Sequence, residues 1–184
     1  MSAPFTFAIE RISSDYDCSS FDCDGSSTII NHHLQSVALD LDVTDRERTF
    51  LLIATDENSN TEQVAGYYTL TASLMPTLDI PSGILPDSKL PHDLPVIYLD
   101  FIARDKNFRG YGLGRRLLVD ALRCSLIASE HIGAVGLFLI AISKEMYQLA
   151  SNFSFTDFDA GFNGYNRMFL PMSEACSIFD EADA

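Results

Sequence analysis

Val96-Ile97-Tyr98-Leu99-Asp100-Phe101-Ile102-Ala103-Arg104-Asp105-Lys106-Asn107-Phe108-Arg109-Gly110-Tyr111-Gly112-Leu113-Gly114-Arg115-Arg116-Leu117-Leu118 reads as an apolar strand that runs into a glycine-rich turn and opens a helix. Branched and aromatic residues dominate 96–104, and Leu117, Leu118, Ala121, Leu122 and Leu126 recur at helical spacing over 112–130. Gly110, Gly112 and Gly114 lack the Cβ atoms that keep a ligand off the backbone, so successive N–H groups at the helix start can face an anion. Arg109, Arg115 and Arg116 add cationic side chains that favour a polyanion such as a pyrophosphate over a neutral ligand. A dinucleotide turn needs G-x-G-x-x-G and a P-loop needs G-x-x-x-x-G-K-[ST]. Here the glycines run G-x-G-x-G, and no Lys-Ser or Lys-Thr follows.

The rest of the chain sets the scale. Its 184 residues suit one well-buried domain, expected to span 1–184, and 47% hydrophobic residues with 13 Phe support a real core. No apolar run approaches the ~18 residues a membrane span needs, and no secretory leader is evident, so a cytoplasmic chain with no membrane partner is expected. The four cysteines form no C-x-x-C pair. No metal is expected, although Cys23 with His32 or His33 would supply ligand types; the adjacent histidines read more simply as one outward and one inward helix position. The net charge of −14 repels nucleic acid over most of the surface. Arg104, Lys106, Arg109, Arg115, Arg116 and Arg123, six of the 12 basic residues, crowd around the glycine turn. They form either a cationic mouth for phosphates or a solvated helix face.

Along the chain, a first strand is predicted over 5–12. Asp24-Gly25-Ser26-Ser27 then supplies cap and turn chemistry before a helix through Ile29, Ile30, Leu34 and Ala38. Strands 50–55 and 64–71 form a hairpin around the polar turn 56–60. Residues 74–95 hold five of the seven prolines and read as a long loop flanking a substrate mouth. Strand 96–104, helix 112–130, strand 135–142, a short helix near 144–151 and closing strands around 153–158 and 167–171 follow. A frayed acidic tail is expected at about 178–184.

Arg109-Gly110-Tyr111-Gly112-Leu113-Gly114 resembles the R/Q-x-x-G-x-G/A pyrophosphate loop of the GNAT superfamily of N-acetyltransferases, which cradles the diphosphate of acetyl-CoA. The element order is similar to the α/β (α+β) GNAT fold, a mixed central sheet flanked by helices in which parallel strands, here 96–104 and 135–142, splay around the cofactor. The resemblance implies that main-chain groups of Ile102, Ala103 and Arg104 meet the acetyl and pantetheine end, and that Arg109, Gly110, Tyr111, Gly112, Leu113, Gly114 and Arg115 hold the diphosphate. A fixed backbone N–H facing a thioester carbonyl is also sound chemistry, because it stabilises the oxyanion as it develops.

Phe21-Asp22-Cys23, Val64-Ala65-Gly66-Tyr67-Tyr68-Thr69-Leu70 and Ala141-Ile142-Ser143 look like the corresponding motifs of the GNAT-type toxins of bacterial type II toxin–antitoxin pairs, a similarity touching most of 21–158. Those toxins acetylate aminoacyl-tRNA and are neutralised by a ribbon-helix-helix antitoxin. Two features depart from them. Counted without gaps from Ser143, the tyrosine that serves the toxins as general acid falls on Ala150, and Ser154 replaces the glycine before Phe155. The toxins also tend to be basic, so a tRNA would approach this chain through the 104–123 patch alone.

Tyr147 lies one helical turn before Ala150 and is one candidate proton donor; a tyrosine packed with its hydroxyl at the surface is the alternative. Asp100 shares a strand face with Tyr98 and is a candidate base, or else a surface or salt-bridged acid. Tyr68 in the neighbouring strand is a third candidate. The reading expects an acetyl-CoA-dependent N-acetyltransferase that transfers acetyl directly to a primary amine. The acceptor is aminoacyl-tRNA, or a small amine or cationic peptide drawn by the acidic surface. The alternative is an acetyl-CoA-binding module with lost or weak catalysis that acts through protein partners. Dimers are frequent in the family, so a homodimer stays open.

Overall fold

The computed structural model describes residues 5–24, 28–80, 83–85, 90–162 and 164–180. The expected cap residues Gly25, Ser26 and Ser27 lie outside them, as do residues 181–184 of the expected tail. Among the described residues there are seven strands: β1 (Phe5–Arg11), β2 (Arg48–Asp56), β3 (Glu62–Pro76), β4 (Asp93–Arg104), β5 (Gly136–Ala141), β6 (Thr156–Phe162) and β7 (Tyr165–Pro171). They hydrogen-bond in the order β1-β2-β3-β4-β5-β7-β6. The pairs β1/β2, β2/β3, β5/β7 and β6/β7 are antiparallel and β4/β5 is parallel, giving the expected mixed sheet. Its helices are α1 (Thr28–His32), α2 (Ala38–Val43), α3 (Leu113–Ile132), α4 (Lys144–Ser151) and α5 (Met172–Asp180). None of the described helices is long and apolar enough to cross a membrane. The chain forms two compact units, one from residues within 1–70 and 101–119, the other within 71–100 and 120–184.

In the first unit, β1 pairs with β2 from Phe5↔Asp56 to Arg11↔Phe50. The helix expected through Ile29 to Ala38 is present but interrupted: His33–Val37 forms a wide π-type turn in which the Ala38 N–H donates to the His33 carbonyl. His33 and Leu34 are both buried in that turn. The predicted split of the histidines holds, with His32 outward and His33 inward. The His33 ring stacks on Phe101 at 3.9 Å, and its Nε2 meets Glu47 Oε1 at 2.8 Å. Burial raises the Glu47 carboxyl above the ordinary glutamate range. Phe21 packs edge-on against Tyr67 at 5.4 Å, and the Tyr67 hydroxyl donates to the Ile30 carbonyl at 2.9 Å. These rings join Leu34, Leu51 and Ile53 in one core. Each fully buried side chain of this size contributes about 1.5–3 kcal/mol.

In the second unit, β4 and β5 share three registered pairs, Ile97↔Leu137, Tyr98↔Phe138 and Leu99↔Leu139. The ladder ends there, while β4 itself runs on to Arg104. Met75, Ile80, Leu94, Val96 and Phe169 form a core with Val135 and Phe138 packed against it.

Two sequence expectations change. The 74–95 loop is shorter than predicted: β3 continues to Pro76, Thr77–Asp79 makes a 3-10 turn and β4 begins at Asp93. Its ends are tied by the Thr77 N–H to the His92 carbonyl (2.8 Å) and the Thr77 hydroxyl to the Pro91 carbonyl (2.5 Å). Its residues 81–82 and 86–89 lie outside the described set. Residues 178–180, expected in the frayed tail, instead close α5, a helix the sequence reading missed. Its first residue donates N–H to the Val135 carbonyl at 3.0 Å, and Ala175 is fully buried.

Candidate functional site

The glycine loop is built by Asp105 at the end of β4. This buried carboxylate accepts the Asn107 N–H at 2.8 Å and the Asp22 N–H at 2.9 Å, while its own N–H donates to the Ala65 carbonyl at 2.8 Å. Its cap starts the 3-10 turn Lys106–Phe108, which delivers the chain to Gly110 and Gly112. Those glycines hold φ of +86° and +70°, left-handed values that a side chain disfavours. Among the described residues, no atom beyond the chain neighbours lies within 4 Å of where a Cβ would stand at either. Conformation therefore demands glycine there, and no described side chain fills the space above the turn. Gly114 falls in the first turn of α3. Phe108 is buried and anchors the loop to β1, its ring 5.3 Å from Phe5, 6.2 Å from Phe7 and 6.1 Å from Tyr111. Tyr111 is 38% exposed at the rim.

The β3 motif has a packing role in the same unit. A Cβ on Gly66 would stand 2.9 Å from the Ala103 carbonyl and 2.9 Å from Leu117 Cδ1, so glycine lets the end of β4 and the start of α3 close on β3. The Phe21-Asp22-Cys23 motif is likewise structural: Phe21 fills the core, and Asp22 binds the Lys106 turn.

The basic cluster is more neutralised than its spacing suggests. Lys106 Nζ donates to Asp22 Oδ2 at 2.8 Å, which raises the Lys106 pKa and lowers that of Asp22. Arg109 pairs with Asp24. Arg116 donates to the Phe7 carbonyl at 2.6 Å and lies 5.9 Å over the Phe7 ring. At Arg104, Nη1 is buried with no hydrogen-bond partner among the described residues. The positive-φ glycines, a turn that no described atom obstructs and the start of a 20-residue helix fit a diphosphate-bearing group.

Of the candidate catalytic residues, Tyr68 lies in the first unit, wholly buried with its ring stacked on Phe50 at 5.0 Å. Tyr147 and Asp100 belong to the second. The strand-face reading of Tyr98 and Asp100 is correct in that the Tyr98 hydroxyl hydrogen-bonds Asp100. Burial first, then the Asp100 charge, pushes the Tyr98 phenol up to about 12. Asp100 is exposed, and Tyr98 stacks on Phe138 at 5.1 Å.

Tyr147 lines a recess of about 350 Å³ with Ala141, Ser143, Lys144, Tyr165 and Asn166. Ser143 Oγ accepts the Met146 N–H at 3.1 Å, capping α4 and fixing the end of the Ala-Ile-Ser motif. Ala150 is 0% exposed, so the position that the toxin motif gives to tyrosine presents no surface here. Tyr165 faces the same recess at 42% exposure and was missed in the sequence. Its only signal was its place at the return into the last strand.

The sheet order and the glycine loop define a GNAT fold, and the likeness runs to the GNAT-type toxins of toxin–antitoxin pairs. No family model matches the sequence. A tRNA-acetylating toxin of Mycobacterium tuberculosis is 28% identical over 148 residues, covering 80% of this chain and 83% of the relative. A Tyr→Phe variant of the toxin KacT superposes with a TM-score of 0.80 at 24% identity, covering 94% of this chain and 98% of that one. The complex AtaTR bound to acetyl-CoA gives 0.75 at 25% identity, covering 94% and 98%. AtaT complexed with acetyl-methionyl-tRNAfMet gives 0.77 at 24%, covering 95% and 99%.

Proposed function

We propose that this chain is an acetyl-CoA-dependent N-acetyltransferase of the toxin-like GNAT kind, with aminoacyl-tRNA as its acceptor. The observation that carries the reading is the loop at Gly110 and Gly112, left-handed and open, leading into the start of α3. The 28% identity to a tRNA-acetylating toxin and the acetyl-CoA held by the AtaTR complex support it.

Acetyl-CoA supplies an activated acetyl group. Loop residues 109–115 hold its diphosphate through backbone N–H groups and the guanidinium side chains of Arg109 and Arg115. Main-chain groups of Ile102, Ala103 and Arg104 orient the acetyl and pantetheine end and stabilise negative charge on the acetyl oxygen. The acceptor amine must lose a proton and the thiolate must gain one, so one ordered side chain or water serves each transfer. Tyr147, in its recess, serves as the proton donor. Asp100, already accepting from Tyr98, is the weaker choice of base, and Tyr68 is buried too deeply to meet an acceptor.

The two units act as one acetyltransferase domain over 1–184. The protein works in the cytoplasm, alone or as a homodimer, and is neutralised by an antitoxin of the ribbon-helix-helix type. Acceptor RNA contacts the cations of 104–123. A buried alanine at position 150 favours a second reading, a module that binds acetyl-CoA without turning it over. Incubation with acetyl-labelled CoA, charged and uncharged tRNA and a panel of small amines separates the two. Label on charged tRNA alone is expected. Binding of acetyl-CoA with no label on any acceptor selects the module.

A further inference from the structure

Residues 21–24 are fastened to the glycine loop unevenly. Asp22 is an anchor: its N–H donates to Asp105 Oδ2 at 2.9 Å, its carbonyl accepts the Lys106 N–H at 2.8 Å, and its carboxylate accepts Lys106 Nζ at 2.8 Å and Asn31 Nδ2 at 3.0 Å. The Cys23 N–H adds a bond to Asn31 Oδ1 at 2.9 Å. One residue beyond this anchor, Asp24 reaches Arg109, the first residue of the loop, through an ion pair whose side chains are 63% and 60% exposed. Asp24 also holds φ at +145°, a value that residues with side chains seldom adopt.

The electrostatics of the two contacts differ. An exposed ion pair contributes little to stability because water screens it, so the Asp24 contact opens at little cost, whereas the Asp22 contacts leave the segment in place when it does. A diphosphate carries more charge and more acceptor oxygens than one carboxylate and outcompetes it for a guanidinium. We infer that Asp24 stands on Arg109 where a diphosphate oxygen binds, making its side chain a displaceable acidic latch, held in place by the Asp22 anchor, that lowers the loop's affinity for its cofactor. The inference rests on the acetyl-CoA reading above. Asp24 competes with the ligand for as long as it stays on Arg109, and the apparent affinity is that of the free loop multiplied by the fraction of chains in which Arg109 is free.

Titration calorimetry with acetyl-CoA on the wild type, Asp24→Asn and Glu57→Gln tests this. Asparagine tolerates positive φ about as well as aspartate, so Asp24→Asn keeps the backbone. Glu57→Gln removes one negative charge from the turn after β2 and controls for net charge. Asp24→Asn is expected to bind about twofold to sixfold more tightly than the wild type, with Glu57→Gln unchanged. Equal tightening in both variants overturns the latch and leaves a general charge effect. Weaker binding by Asp24→Asn overturns it in the other direction, making Asp24 a residue that positions Arg109. Binding by neither the wild type nor Asp24→Asn overturns the acetyl-CoA reading itself and the latch with it.

Discussion

The two candidate regions are built by opposite means. The glycine loop is held by a buried acid that caps it, by an aromatic clamp from β1 and by the Asp22 anchor, and every one of those contacts lies within the first unit. The recess of the second unit is formed by a capped helix start and a strand return, and its tyrosines stand half-open to solvent. The first carries the glycine pattern that resembles a pyrophosphate loop, and the second holds a buried alanine at position 150. On the proposed reading, binding of the donor is specified by backbone geometry that tolerates little change, and proton transfer depends on side chains that can be supplied from more than one place.

That contrast can be broken most forcefully at Phe108. Phe108→Ala removes the buried ring that joins the loop to Phe5, Phe7 and Tyr111. It should cost about 3–5 kcal/mol in urea denaturation. A loss below about 1 kcal/mol would show that the loop does not depend on the clamp. The opposite region answers to Tyr147→Phe, which deletes only a hydroxyl. If Tyr147 donates the proton, transfer slows about hundredfold with acetyl-CoA affinity unchanged, a loss confined to kcat. If Tyr147→Phe is silent while Tyr165→Phe is slow, the donor is the other tyrosine of the recess.

How much of this the sequence carried follows from the kind of interaction involved. Glycines with positive φ and a basic, apolar-flanked helix start are local features, and they were readable as a phosphate loop. The strand at 96–104 and the helix behind it were readable because their apolar spacing has one interpretation. The Asp22–Lys106 and Asp24–Arg109 pairs were not, since they join residues more than eighty positions apart, and nothing in the spacing of the arginines shows that several are already engaged. The wide turn at His33–Val37 was missed because helix and π-type turns share nearly the same apolar period. Tyr165 was overlooked because no motif surrounds it, and α5 because its short apolar pattern follows a strand directly.

Smaller effects sharpen the comparison. Gly66→Ala places a methyl against the Ala103 carbonyl and Leu117, and overpacking there should cost about 1–3 kcal/mol. It should also weaken acetyl-CoA binding, which distinguishes it from a change that only destabilises. The smallest effect at neutral pH belongs to Tyr98. Its folded pKa, pushed up to about 12 by burial and Asp100, lies above the usual value of 10.0. The unfolded chain therefore releases the proton first. The stability this phenol contributes is full below pH ~10 and is lost as the pH rises toward ~12. Alkaline denaturation should show that loss in the wild type and not in Tyr98→Phe, and absorbance of the phenolate gives the titration directly.

The central claim is that the turn at Gly110 and Gly112 binds the diphosphate of acetyl-CoA, and calorimetry on the wild type and on Gly112→Glu tests it most directly. Glutamate brings bulk, a disfavoured backbone angle and a negative charge into the open space of the loop. The account predicts micromolar binding by the wild type, with affinity falling at least a hundredfold in a Gly112→Glu variant that still unfolds cooperatively (about 2.7 kcal/mol). Equal binding by both proteins, or none by the folded wild type, would contradict it.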